Sequence, residues 1–166
     1  MLMLAATATH AQDKAGTMAR IKARFAAINA NRALSTTVLD NEEFIEGSTD
    51  RGAGLTGYFD GNELVKIVEW VGVSAWNYVT EYYFEKGQLI FVYEETQAIA
   101  YDEKKGELDY TKTTRQREGR YYFKTGSLIK SQETAASLNH ADGFNPQKEF
   151  PATALKYQAL LRSKHK

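Results

Sequence analysis

The chain has 166 residues, with 21 basic and 21 acidic side chains, no cysteine and 43% apolar residues. Ten tyrosines, eight phenylalanines and two tryptophans exclude a disordered tail, and the length suits one domain burying roughly 70% of the surface its unfolded chain exposes. Balanced charge gives no reason to expect a polyanion as partner. The lack of Cys excludes disulfides, thiolate metal sites, a thiol nucleophile and a lipid-modified N-terminal cysteine.

Met1 to Ala11 reads MLMLAATATHA, an uncharged stretch with an apolar start followed by small residues. It has the apolar run and the small-x-small sites of an export signal, at Ala6-Thr7-Ala8 or Thr9-His10-Ala11, but not the basic beginning. The expectation is a truncated signal over 1–11 and a single domain over 12–166, in the bacterial periplasm or secreted, and not a lipoprotein. No later stretch reaches the 18 or more apolar residues, roughly, of a membrane span.

Met18, Ile21, Phe25 and Ile28 recur at spacings of three and four among alanines, which predicts an amphipathic helix over 14–33. That stripe fits either a sheet face or a partner. Residues 42–54 read as irregular. An aromatic pair, a Gly-containing polar turn, then Leu and a β-branched residue follow three times: Tyr58-Phe59 to Leu64-Val65, Tyr83-Phe84 to Leu89-Ile90, and Tyr122-Phe123 to Leu128-Ile129. Each copy predicts a β-hairpin, because such residues fit a pleated surface and Gly supplies the positive φ of a tight turn. Strands are expected near 53–60, 63–72, 76–85, 88–96, 111–124 and 127–133, as an antiparallel meander.

The register has two forms. A two-residue loop at Lys86-Gly87 pairs Phe84 with Leu89 and Tyr82 with Phe91, whereas a three-residue loop pairs Tyr83 with Leu89. The first copy carries its Gly one place early. The central strands are apolar at both parities, so both faces of the sheet should be covered. Thr96 to Asp109 reads as a solvated loop, 152–163 as a short helix after Pro151, and Lys164-His165-Lys166 as a loose end. The fold class is α+β, an N-terminal helix on a six-stranded meander with a short C-terminal helix.

At these hairpins the sequence resembles a group of small exported bacterial proteins of unknown function built from an N-terminal helix and YYF-x-x-G-x-L hairpins. The matching stretches are Thr80 to Glu95, Arg120 to Lys130 and, more weakly, Gly57 to Glu69, within roughly residues 45–133. A more distant likeness is to MORN-type aromatic-glycine hairpins, although Tyr-Phe pairs at 58, 83 and 122 keep no single short period. The resemblance implies an extracytoplasmic α+β protein and carries no catalytic residues.

His10 falls in the expected signal and His165 in the tail, which leaves His140 in an Asn- and Gly-containing loop, read as a surface residue. No metal, phosphate-loop or dinucleotide motif is present, so no cofactor or metal is expected. Lys112, Arg115, Arg117 and Arg120 alternate with polar residues. Strand parity puts Arg115 and Arg117 on one face and Arg120 on the other, which speaks against a nucleic-acid patch. The reading is a non-enzymatic binding module with candidate contacts at Tyr58, Trp70, Trp76, Tyr83, Tyr93 and Tyr122, at least half of them buried for packing. Its ligand is a protein, a glycan or a small apolar molecule held between helix and sheet. The alternatives are a periplasmic hydrolase of envelope carbohydrate using Glu81, Glu94 and Glu95, or an inhibitor of such an enzyme presenting the 96–109 loop.

Overall fold

The computed structural model describes residues 5–47, 49–134, 140 and 142–165, with side chains from Lys14 onward. The first four residues of the expected signal, and the side chains of the rest of it, lie outside that description. Helix α1 (Ala5–Ala30) precedes seven strands: β1 (Ser35–Asp40), β2 (Ala53–Asp60), β3 (Glu63–Val73), β4 (Trp76–Glu85), β5 (Gln88–Asp102), β6 (Glu107–Lys124) and β7 (Ser127–Glu133). A short α2 (Asn41–Phe44) follows β1, and α3 (Pro146–Lys164) closes the chain. The strands form one sheet in sequence order, every neighbouring pair antiparallel, so the molecule is α+β with a seven-stranded meander.

All three Tyr-Phe hairpins share one geometry, which is neither expected register in full: Phe84 pairs with Leu89 as the two-residue loop requires, but Tyr82 pairs with Val92 and not Phe91, and Tyr83 does not pair with Leu89. A two-residue turn pairs Phe59 with Leu64, Phe84 with Leu89 and Phe123 with Leu128; the next pairs are Tyr58 with Lys66, Tyr83 with Phe91 and Tyr122 with Lys130. Val65, Ile90 and Ile129 are therefore extra residues, one bulge per hairpin. The bulge reverses the alternation that follows, so Ile90 and Phe91 share a face with Tyr83 and Tyr122, while Val92 joins Phe84 and Tyr82 on the other. Apolar residues at both parities thus serve two cores.

One core lies under α3: Leu55, Phe59, Leu64, Ile67, Phe84 and Tyr121 pack against Phe150, Ala154, Tyr157 and Leu161. The other lies under α1, where Ile21 and Ile28 are buried with Val65, Tyr83, Ile90, Phe91 and Tyr122, and Met18 and Phe25 pack at its margin. The helical stripe read from the sequence therefore packs on the sheet.

Four expectations need correction. The expected six strands are joined by β1, whose six residues include only one buried side chain, Leu39, so no apolar alternation marks it. Helix α3 starts at Pro146 rather than after Pro151: Asn145 Oδ1 accepts from Gln147 N at 3.0 Å and Pro146 suits the first turn, while Pro151 lies inside the helix. Thr96 to Asp109 is a hairpin arm, turning at residues 103–106, and it runs past the last β4–β5 pair, Trp76 with Ala98. Two of the three tail residues are packed, Lys166 lying outside the described residues: the His165 ring stacks on Phe59 at 3.6 Å and its Nδ1 lies 3.0 Å from Thr37 Oγ1, while Lys164 pairs with Glu43 at 3.2 Å.

The turns explain the place of Gly. Lys86 and Gly87 have φ of 51° and 74°, and Thr125 and Gly126 have 49° and 77°, both central residues being left-handed as in a type I′ turn. In the first hairpin Gly61, at φ 58°, takes the first central position, and Asn62 has no positive φ. A β-branched residue in this region is strained. Thr125→Asn should therefore stabilise the protein by about 1 kcal/mol, part of the left-handed cost of an ordinary residue, seen as a higher urea midpoint with an unchanged slope.

Candidate functional site

Along one side of α1 the sheet is left partly uncovered, and a cleft of about 600 Å³ lies there. Its floor follows from the bulges, which bring Tyr83, Phe91 and Tyr122 into one row across β4, β5 and β6. Phe91 stands 5.7 Å from Tyr83 and 4.8 Å from Tyr122 between ring centroids. Phe25 reaches down from α1 to meet Tyr83 at 4.9 Å and, edge on, Phe91 at 5.5 Å. Ile21 and Ile28, on the same helix, are buried and supply the packing that seats it. The next row across the same face is Glu81, Tyr93 and Arg120, which forms a polar rim.

At the β3–β4 end the rim is a closed hydrogen-bond set. Lys66 Nζ lies 3.0 Å from Glu81 Oε1 and donates to Asn29 Oδ1 at 3.0 Å. Asn29 Nδ2 donates to the Tyr83 hydroxyl at 3.1 Å, and that hydroxyl donates its one proton to Glu81 Oε2. The Lys66 ammonium also sits 5.0 Å from the Tyr83 ring centroid and 5.7 Å from that of Tyr58. Burial and the Glu81 carboxylate hold the Tyr83 phenol well above its ordinary range, so it stays a neutral donor.

At the β6 end, Arg120 pairs with Glu118 at 2.7 Å and lies 5.5 Å from the Tyr93 ring centroid. The Tyr93 hydroxyl accepts from Arg115 Nη1 at 2.8 Å and reaches Glu95 and Glu118 at 3.1 Å each. Burial, and then the Glu95 carboxylate, push its pKa up to about 12 against the pull of Arg115. Lys22 lines the cleft from α1.

The aromatic candidates divide by place. Tyr83, Tyr93 and Tyr122 line the cleft. Tyr58 is two strands beyond Tyr83, across Lys66. Trp70 shares that face but lies four residues along β3 from Lys66, under the Arg51 guanidinium at 5.9 Å. Trp76 belongs to the opposite face, half-open to solvent. Of the six only Tyr83 and Tyr122 are buried, fewer than the half expected. Phe25, Asn29, Lys66 and Lys22 were not read as contacts. The visible signal was a lysine inside an otherwise apolar strand segment, Leu64-Val65-Lys66-Ile67, which needs a buried acceptor.

The glutamates do not converge. Glu81 and Glu95 share the α1 face, whereas Glu94 lies on the α3 face in the row Glu69, Thr80, Glu94, Gly119 and Glu133. There the Tyr157 hydroxyl donates to Glu69 at 2.7 Å, and His140 Nε2 lies 3.0 Å from Glu94, its ring stacked on Phe144 at 3.6 Å. His140 is thus a half-buried partner of Glu94 and not a free surface residue. The basic stretch also departs from simple parity. A bulge between Thr96–Arg117 and Gln97–Arg115 brings Arg115 to the α1 face with Arg120, while Arg117 stays on the other.

No helix among the described residues is long and apolar enough to cross a membrane. No protein-family model matches this chain, and neither a curated protein nor a solved structure shows detectable similarity to it.

Burial raises the Glu69 carboxyl above its ordinary 4.5, outweighing the Tyr157 hydrogen bond. A raised folded-state pKa means that stability falls as pH climbs from 4.5 through that value, and the cost is fully present above it. Glu69→Gln keeps an acceptor for Tyr157 and removes the charge. It should be more stable than the parent at pH 7, and the difference should vanish as the pH is lowered to 4.5, in urea unfolding followed across that range.

Proposed function

We propose that this protein is a non-enzymatic binding module whose ligand is a small, largely apolar molecule seated between α1 and the sheet. The observation that carries the reading is the cleft itself. Its volume lies within the range of small-molecule sites, roughly 300–1,000 Å³, and its composition is the usual one, an aromatic floor with a few fixed polar groups at the edge. The floor is rigid because Tyr83, Phe91 and Tyr122 come from three neighbouring strands, so little conformational entropy is lost when a ligand covers it. The polar groups support binding rather than turnover. Lys66, Glu81, Asn29 and Tyr83 satisfy one another, which leaves no nucleophile with an idle base beside it. The split of Glu81 and Glu95 from Glu94 removes the support for a hydrolase using those three carboxylates.

The uncharged apolar start supports export of this module to the periplasm or medium, in keeping with the likeness to exported hairpin proteins. The α1 side chains described as packing on the sheet, Met18, Ile21, Phe25 and Ile28, all lie beyond residues 1–11. The protein recovered from its host should have a mass beginning at Thr9 or Gln12; an intact Met1 overturns export.

The binding reading is tested with N-phenyl-1-naphthylamine, a neutral apolar fluorophore, titrated into the full chain. Saturable, blue-shifted binding is expected. Phe25→Ala should weaken it at least tenfold, about 1.4 kcal/mol, while Trp76→Ala, on the opposite face, leaves it unchanged. Absence of saturable binding, or equal effects of the two variants, overturns the reading.

A further inference from the structure

Resting on the binding reading above, we propose that the ligand carries one anionic group, a carboxylate or phosphate on an apolar body, held at the β6 end of the cleft by Lys22 and Arg120. Three cations, Lys22, Lys66 and Arg120, line the cleft against one carboxylate, Glu81. They are not equivalent. Lys66 is spent: its ammonium is held by Glu81 and Asn29 and lies over two tyrosine rings, so the β3–β4 end is neutral and hydrogen-bonded to completion.

The other two cations line the same cleft, and the course of α1 carries Lys22 toward the Arg120 end. Asn29 meets Tyr83 on β4 and Phe25 meets Tyr83 and Phe91 on β4 and β5, so α1 crosses the strands toward β6 as it is followed back to Lys22. Lys22 is seven residues before Asn29, roughly 10 Å along a helix. Arg120 is on β6, three strands from Lys66, roughly 14 Å across the sheet. Among the described residues Lys22 has no ion-pair partner, as every cation–carboxylate pair involves other side chains. Arg120 has Glu118, but Glu118 is shared with Arg115 at 2.9 Å, and the Arg120 side chain keeps 42% of its surface open.

A neutral apolar ligand would bury part of both cations and gain nothing in return, which costs free energy. An anionic oxygen placed between them turns that cost into charge-assisted hydrogen bonds, the stronger kind, with the aromatic row left for the apolar body. Between the two ends the floor of Phe91 and Tyr122, walled by Phe25, has room for a ring system or a short acyl chain.

The test compares two fluorophores with the same ring skeleton: neutral N-phenyl-1-naphthylamine and its sulfonate, 8-anilinonaphthalene-1-sulfonate. The sulfonate should bind at least tenfold more tightly to the full chain, and that preference should drop below threefold in Lys22→Gln/Arg120→Gln. It should also shrink as salt is raised. Decanoate or decyl phosphate should displace the sulfonate better than decanol, and the better of the two acids identifies the head group. Equal binding of both fluorophores to the parent, or a preference untouched by the double substitution, overturns the anionic assignment while the binding reading stands. If neither fluorophore binds, both fall together. A double variant that no longer shows the parent's cooperative thermal transition is replaced by Lys22→Glu, one exposed substitution expected to reduce the preference at least threefold.

Discussion

One extra residue in each Tyr-Phe hairpin governs the rest of this structure. Without Val65, Ile90 and Ile129 as bulges, strict alternation would carry Phe91 to the α3 face and leave the α1 face with a broken row of aromatics. With them, each motif delivers its Phe and Leu to one core and its β-branched residue to the other, where Tyr83 and Tyr122 join it. The repeat is therefore a device for two-sided burial. Bulges also increase twist and bend the strand, and three of them stand near the same ends of their hairpins.

Two-sided burial fixes where the helices go, and the mismatch between them makes the site. On one face α3 sends Phe150, Ala154, Tyr157 and Leu161 into the core, and Leu161 packs so closely that a Cβ on Gly57 would stand 3.0 Å from its Cδ1. On the other, α1 offers two buried isoleucines and leaves Phe25 half-covered against the row of Tyr83, Phe91 and Tyr122. The cleft lies along the side of α1 that carries Lys22, Phe25 and Asn29, and Lys66 and Glu81 are tolerated there because each satisfies the other.

The strands were legible because turn chemistry is local. Gly two or three residues after an aromatic pair marks the three hairpins whatever the rest of the chain does. What stayed hidden depended on partners distant in sequence. β1 has a polar surface strand's composition and is recognised only by pairing with β2. The arm beyond β4 has no core beneath it, so exposed Tyr101 and Tyr110 and its threonines carry no burial pattern. Pro151 masked the helix start because Asn145 and Pro146, the true cap, lie a turn and a half earlier. The cleft was half legible: its tyrosines were named, but parity counting without the bulges cannot bring Phe91 beside Tyr83 or separate Arg115 from Arg117.

Every strand pairs with its neighbour in sequence, so the sheet can zip up progressively as the chain leaves the ribosome, each hairpin closing a short loop. The α1 face has its cover early, since that helix precedes the strands it packs on. The α3 face does not: Leu55, Phe59, Leu64, Ile67, Phe84 and Tyr121 stay bare until the last twenty-odd residues emerge, roughly one to four seconds later at ordinary synthesis rates. His165 then reaches back to Thr37, 128 positions away, and ties the end of the chain to its first strand. Birth of this protein therefore includes an interval in which a nearly finished sheet shows one greasy side, a natural client for any holding chaperone it meets.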